Sequence, residues 1–194
     1  MIELPSFATN GSASPMFMDA GFTQRGVQSL SRIDRKGSRY KIAFSFGPFT
    51  PSQGNIMVAR LIAGKQAGLR VKYPLLTSQG SPGSPVIDGA ITNPGRIINI
   101  RGLTPGYVCS EGFWLSLGKG DRHYLHSVGI GGTADASGLL QIELNELLRD
   151  TFPDGANVYL AQPMVEGIVE GDAWQWQLSV DRVIPIEFTI EEVR

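Results

Sequence analysis

The chain has 194 residues, a formal net charge of -1 and one cysteine, and its 42% hydrophobic content is enough for a buried core in one large domain or two small ones. Glycine is frequent at 24 residues and charged residues are scarce at 18%, the balance of a turn-rich β protein whose exterior is covered in good part by partners. Several classes drop out: no Lys/Arg block marks a nucleic-acid binder, no apolar run reaches the ~20 residues that span a bilayer, and Cys109, alone, forms neither an internal disulfide nor a cysteine-rich metal site.

The opening Met1-Ile2-Glu3-Leu4-Pro5 has no basic or apolar region of a secretory signal, so synthesis in a reducing cytoplasm is expected. Residues 1–30 show no sustained period. They read either as a loose terminus or as an arm that packs on a neighbouring subunit, with Met16, Phe17, Met18 and Phe22 as its apolar contacts. Tyr40, Ile42, Phe44 and Phe46 alternate with Arg39, Lys41 and Ser45, the pattern of a half-buried strand. Thr50-Pro51-Ser52-Gln53 is a capping box with proline at the first helical position, and Gly68 is placed to end a helix over 51–67. Ile56, Ala59, Ala63 and Ala67, with Met57, Leu61 and Ile62, give its apolar stripe. Leu69–Tyr73 alternates again as the next strand.

Residues 77–95 are rich in Ser, Gly and Pro and read as a loop or linker. Short strands follow at Arg96–Arg101, Phe113–Leu117, Arg122–Val128, Leu139–Leu144 and Asn157–Pro163, the spacing of a small barrel or sandwich. Longer alternating runs return at Trp174–Val180 and Ile184–Ile190, as a candidate hairpin. The expected fold is mainly β with one α-helix. A β-sandwich domain is assembled from 1–85 plus 165–194, and a small β module is inserted over 90–164.

Chemistry-bearing patterns are sparse. His123 and His126 lie on opposite faces of one strand and cannot share a metal. Carboxylates such as Asp19, Asp34, Asp88, Glu166 and Glu170 are scattered, and Glu191-Glu192 reads as a solvated strand end. Gly118-Lys-Gly120 and Gly129-Ile-Gly-Gly132 lack the sequence and context of a phosphate loop. No catalytic, cofactor or metal residue is assigned, and no enzyme is expected. Trp114 and the pair Trp174 and Trp176 read either as core residues or as platforms for sugar stacking or subunit contact.

The run Gly132-Thr-Ala-Asp-Ala-Ser-Gly138, followed by Leu139–Leu144, Leu147-Leu-Arg149, Asp154-Gly155 and Pro163-Met164, resembles a module of tailed-phage virion proteins. Gly102-Leu-Thr-Pro-Gly106 and the closing Phe188-Thr-Ile-Glu-Glu-Val-Arg194 fit the same pattern. With the strand–helix–strand layout of the first half, the chain is most similar to the distal tail protein of long-tailed siphophages. That resemblance implies a belt domain that forms a hexameric ring and an inserted β module of OB or galectin type. It implies a homo-oligomer at the virion tail tip, in contact with the tail tube protein, the baseplate hub and tape-measure or fibre proteins, without specific nucleic acid or membrane insertion. Another minor tail or head-decoration protein, and a carbohydrate-binding module built on Trp114, are the alternative expectations.

Overall fold

The computed structural model describes residues 1–8, 11–26, 29–171 and 184–193. Among them, β1 (Ile2–Glu3), β2 (Gly11–Met18), β3 (Phe22–Arg25), β4 (Leu30–Ile33) and β5 (Arg39–Phe49) precede the single helix α1 (Pro51–Ala67). β6 (Leu69–Lys72), β7 (Gly83–Ile87), β8 (Ile97–Leu103), β9 (Val108–Cys109), β10 (Trp114–Lys119) and β11 (Arg122–Ile130) follow. β12 (Gly132–Thr133), β13 (Leu140–Leu144), β14 (Val158–Tyr159), β15 (Met164–Val169) and β16 (Ile184–Glu192) complete the series. Over the described residues the protein is mainly β with one helix, and it divides into two units. The run Trp174–Val180 lies outside the described residues.

Met1–Phe17, Tyr40–Pro74 and Val165–Val193 form the first unit. Its sheet has six strands in the order β1-β6-β15-β16-β5-β2. Alternation along β5 puts Tyr40, Ile42, Phe44 and Phe46 on one face, and all four are buried. β16 runs antiparallel beside it, with Phe188 opposite Phe44 and Ile190 opposite Ile42. The rings of Phe44, Phe46 and Phe188 stack with centroids 5.5–5.8 Å apart, the offset spacing at which aromatic pairs attract beyond their area. Alternation also corrects the reading of the strand end. Glu192 falls on the face of Ile186, Phe188 and Ile190 and is buried, where its Oε2 accepts the Tyr40 N–H at 2.8 Å.

The helix begins as its capping box requires. Thr50 Oγ1 accepts the Gln53 N–H at 3.4 Å, and Gln53 Oε1 accepts the Thr50 N–H at 3.1 Å. Its buried face keeps Met57 and Leu61 of the expected stripe but not its isoleucines. Gly54, Met57, Leu61 and Gly64, spaced by three and four, are buried, while Ile56 and Ile62 stay 45% and 47% exposed. Close approach favours the glycine face: a Cβ at Gly64 would stand 2.8 Å from Leu69 Cδ1, so β6 fits against a helix surface without side chains at that point. Arg70 of β6 pairs with buried Glu166 of β15 and, at 3.0 Å, with Glu3 of β1, which ties three neighbouring strands together on one guanidinium.

Met18–Arg39 and Leu75–Met164 form the second unit. Its main sheet runs β14-β10-β11-β13-β8-β7. The ends meet: Ile87 donates to the Ala156 carbonyl at 2.8 Å, Gly155 donates to the Ile87 carbonyl at 3.0 Å, and Val86 bridges Asn157. The result is a six-stranded barrel-like sheet. Inward-facing Ile87, Ile98, Ile100, Leu115, Leu117, Tyr124, Val128, Ile142 and Leu144 fill it, with Phe152 and Leu148 from the following loop.

Two sequence expectations shift here. The stretch 77–95, read as a loop or linker, contains β7, so the barrel begins upstream of residue 90. Within β7 only Val86 and Ile87 are apolar, and Pro85 speaks against a strand. The register shift between Gly83 and Val86 puts the proline in an irregularity, where its missing N–H breaks no ladder bond. The strand expected at Asn157–Pro163 is only Val158–Tyr159. Residues 18–39 also group with the second unit, where Arg96 pairs with Asp34.

The Thr-Ala-Asp-Ala-Ser-Gly run is a turn with a mechanical reason for its residues. Asp135 Oδ1 accepts the N–H groups of Ser137 at 2.7 Å and Leu139 at 2.9 Å. Gly138 has φ +74, and a Cβ on it would lie 2.3 Å from the Leu103 carbonyl oxygen. Gly138→Ala is therefore expected to cost about 1–3 kcal/mol from the left-handed backbone alone, and more from the clash. Urea unfolding of the two proteins measures it, and equal midpoints would contradict the turn geometry.

Candidate functional site

The residues singled out from the sequence fall in different settings. Met16 and Phe17 are 57% and 46% exposed on β2, the last strand of the first unit's sheet; Phe17 leans on Tyr40 with centroids 5.6 Å apart. Met18 is half-buried. Phe22 is 48% exposed on β3, with the Arg35 guanidinium 5.6 Å above its ring. β3 pairs antiparallel with β4 alone, Phe22 opposite Ile33 and Arg25 opposite Leu30, in a separate two-stranded sheet. Every described position of both strands is exposed, including Leu30 at 68% and Ile33 at 51%.

Trp114 is half-buried at the start of β10, opposite Ser127 of β11. Its backbone is clamped by a side chain that the sequence did not single out. Buried Gln79 accepts the Trp114 N–H and donates to the Trp114 carbonyl, both at 2.7 Å, and donates to the Leu160 carbonyl at 2.6 Å. The Tyr107 hydroxyl donates to the Gln79 carbonyl at 2.7 Å. Gln79 sits in a Ser/Gly/Pro-rich stretch, where no periodicity marks a buried amide. Trp174 and Trp176 lie outside the described residues.

The histidines separate as alternation requires. His123 is half-buried, its ring 4.6 Å from that of Tyr159. His126 is fully buried, and its Nδ1 stands 2.7 Å from Oε1 of Glu146, also buried. Glu146 further accepts the Ser127 N–H at 3.3 Å and the Ser127 hydroxyl at 3.4 Å. This is a buried, hydrogen-bonded polar pair set within apolar packing, the arrangement in which removing one partner is costly. Among the described residues no group of three or more His, Cys, Asp or Glu could hold a metal ion, and no helix is long and apolar enough to cross a membrane.

The scattered carboxylates are drawn into ion pairs. Asp19 and Asp34 both pair with Arg32, Glu170 pairs with Lys41, and Asp88 and Asp154 flank Arg101. The last cluster links β8, the loop after β7 and the Asp154-Gly155 turn. Hydrogen bonding from Arg101, then from the Gly89 amide, holds the Asp154 carboxyl down to about 2.

A further group of residues is gathered by the fold alone. Lys36, Gly37, Arg39, Tyr124, Arg149 and Asp150 line a cavity of about 270 Å³ in the second unit. The Arg149 guanidinium lies 5.4 Å from the centroid of the Tyr124 ring and donates to the Leu125 carbonyl at 3.3 Å. Burial, then the hydrogen bond with Asp150, pushes the Tyr124 hydroxyl up, while Lys119 holds Asp150 down. These residues come from segments far apart in the chain, and no local spacing announces them.

No known protein family model matches the chain, and no curated protein matches it.

Two outcomes are expected. An unfolded aspartate titrates near ~3.9, and a carboxyl depressed in the folded state stabilises above that value and loses its contribution as pH falls through the folded one. Asp154 therefore contributes fully above pH ~4 and loses its contribution on the way down to about 2. Asp154→Asn should be less stable at neutral pH and should lose less on acidification through that window; parallel stability curves for the two proteins would rule this out. Cys109 is buried and burial pushes its thiol up to about 11, so a thiol reagent at neutral pH should label it only on unfolding. Labelling of the native protein at the rate of a free thiol would show that the β9 region opens locally.

Proposed function

We propose that the chain is a structural subunit of a tailed-phage virion, a ring-forming protein of the distal-tail type that joins the tail tube to the baseplate hub. The observation that carries this reading is the β3–β4 hairpin. It pairs only with itself among the described residues, and Phe22, Leu30 and Ile33 are all about half or more exposed on it. A lone two-stranded ribbon is marginal in water, and this one carries apolar side chains on both faces, Phe22 opposite Ile33 on one and Leu30 on the other, which marks it for cover by a partner. A neighbouring subunit gives such a ribbon the cover that the described residues of its own chain do not.

The first unit presents apolar residues of its own. Met16 and Phe17 stand out on β2, and Ile56 and Ile62 on α1. Pro15 removes one N–H from β2, a feature that discourages open-ended strand addition and leaves recognition to side chains. In a closed ring each subunit offers one surface to the neighbour on one side and a different surface to the neighbour on the other, so two unlike apolar elements are what such an assembly uses. The likeness of the 132–164 run to phage virion modules points the same way. The tail tube protein, the hub and tape-measure or fibre proteins are the partners that follow from this role.

Purified protein is expected to form rings with a central channel in negative stain, with a mass by light scattering of about six chains. Leu30→Asp combined with Phe22→Ser is expected to shift the mass to single chains while far-UV circular dichroism stays unchanged. A wild-type protein that remains a single chain at high concentration, alone and with the tail tube protein, would overturn the reading.

A further inference from the structure

We infer that an outward row on the barrel-like sheet, Ile97, Glu143 and Ile130, receives the β3–β4 hairpin of a second copy of this chain, with Arg35 of that copy set on Glu143. The inference rests on the assembly proposed above and names the surface that covers the ribbon. Strand register places the row. Ile97 of β8 and Ile130 of β11 both stand opposite Glu143 of β13, the strand between them, so the three side chains share one face. Ile98, Ile142 and Leu144 point into the core, and alternation therefore sends the row outward. Ile97 is 56% and Ile130 62% exposed, and Glu143 enters no ion pair among the described residues.

The hairpin presents the complement. Phe22 and Ile33 stand opposite each other, with the Arg35 guanidinium 5.6 Å from the centroid of the Phe22 ring. The carboxylates nearby are already engaged: Asp19 pairs with Arg32, and Asp34 with Arg32 and Arg96. Arg25, Arg35 and Lys36 enter no ion pair among the described residues, so the ribbon and the turn after it are apolar and cationic together. A guanidinium lying over an aromatic ring keeps its edge N–H groups open to a carboxylate, so Arg35 can hold Phe22 and pair with Glu143 at once. Charge separates this row from the exposed isoleucines of α1. Arg60 lies one turn after Ile56, and Pro51–Ala67 contains no acidic residue, so the helix repels a cationic ribbon. In a head-to-tail contact each copy offers its hairpin to one neighbour and its row to the other. Burial of Phe22, Ile33, Ile97 and Ile130 drives the contact, and the Arg35–Glu143 pair sets its register.

Sedimentation velocity of the wild type, Arg35→Glu, Glu143→Arg and the double swap in one chain tests this. Each single swap is expected to weaken assembly about tenfold or more. The double swap is expected to restore it, and so is a mixture of the two single variants, since each then supplies the charge that the other lacks. Ile97→Ser combined with Ile130→Ser should weaken assembly likewise, with far-UV circular dichroism unchanged. Single swaps that assemble as the wild type does, or a double swap and a mixture that both stay as weak as the single variants, would overturn this contact and leave the ring reading standing. A wild type that never assembles, alone or with the tail tube protein, would overturn both.

Discussion

The pairing of β16 with β5 is the constraint on which the first unit rests. It brings the last described strand against one from the opening quarter of the chain, with Phe188 on Phe44 and Ile190 on Ile42 in register. A one-residue slip would turn all of these rings to the opposite face, so the register is set by the core itself. The Glu192 carboxylate on the Tyr40 N–H marks the end of the same register with a buried hydrogen bond. With β5 and β16 in place, β15 has a partner, and the strands beyond it are secured through Arg70, Glu166 and Glu3.

The second unit is organised differently. Its sheet turns back on itself, and loops around it are pinned by side chains. Asp135 holds one turn, Arg101 with Asp88 and Asp154 holds the closure of the barrel, and Gln79 clamps two carbonyls at once. Of these fasteners, Asp135 and Asp154 fall in the motif on which the proposed virion role draws. Asp135, Gly138, Arg149 and Asp154 each have a structural task that any barrel with these turns would need. The motif is therefore explained as architecture.

Much of the fold was legible because strong local signals agree with burial. β5 alternates cleanly from Arg39 to Phe46, and α1 has a capping box, an N-terminal proline and a glycine stop, so its ends match residue for residue. Where the local signal was weak, the tertiary context decided. β7 has only two apolar residues and a proline, and it becomes a strand because the barrel needs an edge to close on. The helix turned Met57 and Leu61 inward with two glycines rather than its isoleucines, since what β6 required beside Gly64 was proximity, which a hydrophobicity pattern does not express. Exposed Met16, Phe17 and Phe22 stood out in advance as bulky residues in an aperiodic, polar segment. The cavity of Lys36, Arg39 and Arg149 did not, because its members meet only when distant loops converge.

In the first unit's sheet β2 is next to β5, and β6 is next to β15. Both stretches of the second unit, 18–39 and 75–164, therefore depart from and rejoin the sheet at adjacent rungs. Lengthening such a detour is thermodynamically mild, about 0.6 kcal/mol for each doubling of a flexible connection. The sheet can in this way tolerate grafts: a lineage could exchange, enlarge or trim either detour without re-threading a single strand, and so vary what it displays while keeping the chassis that carries it.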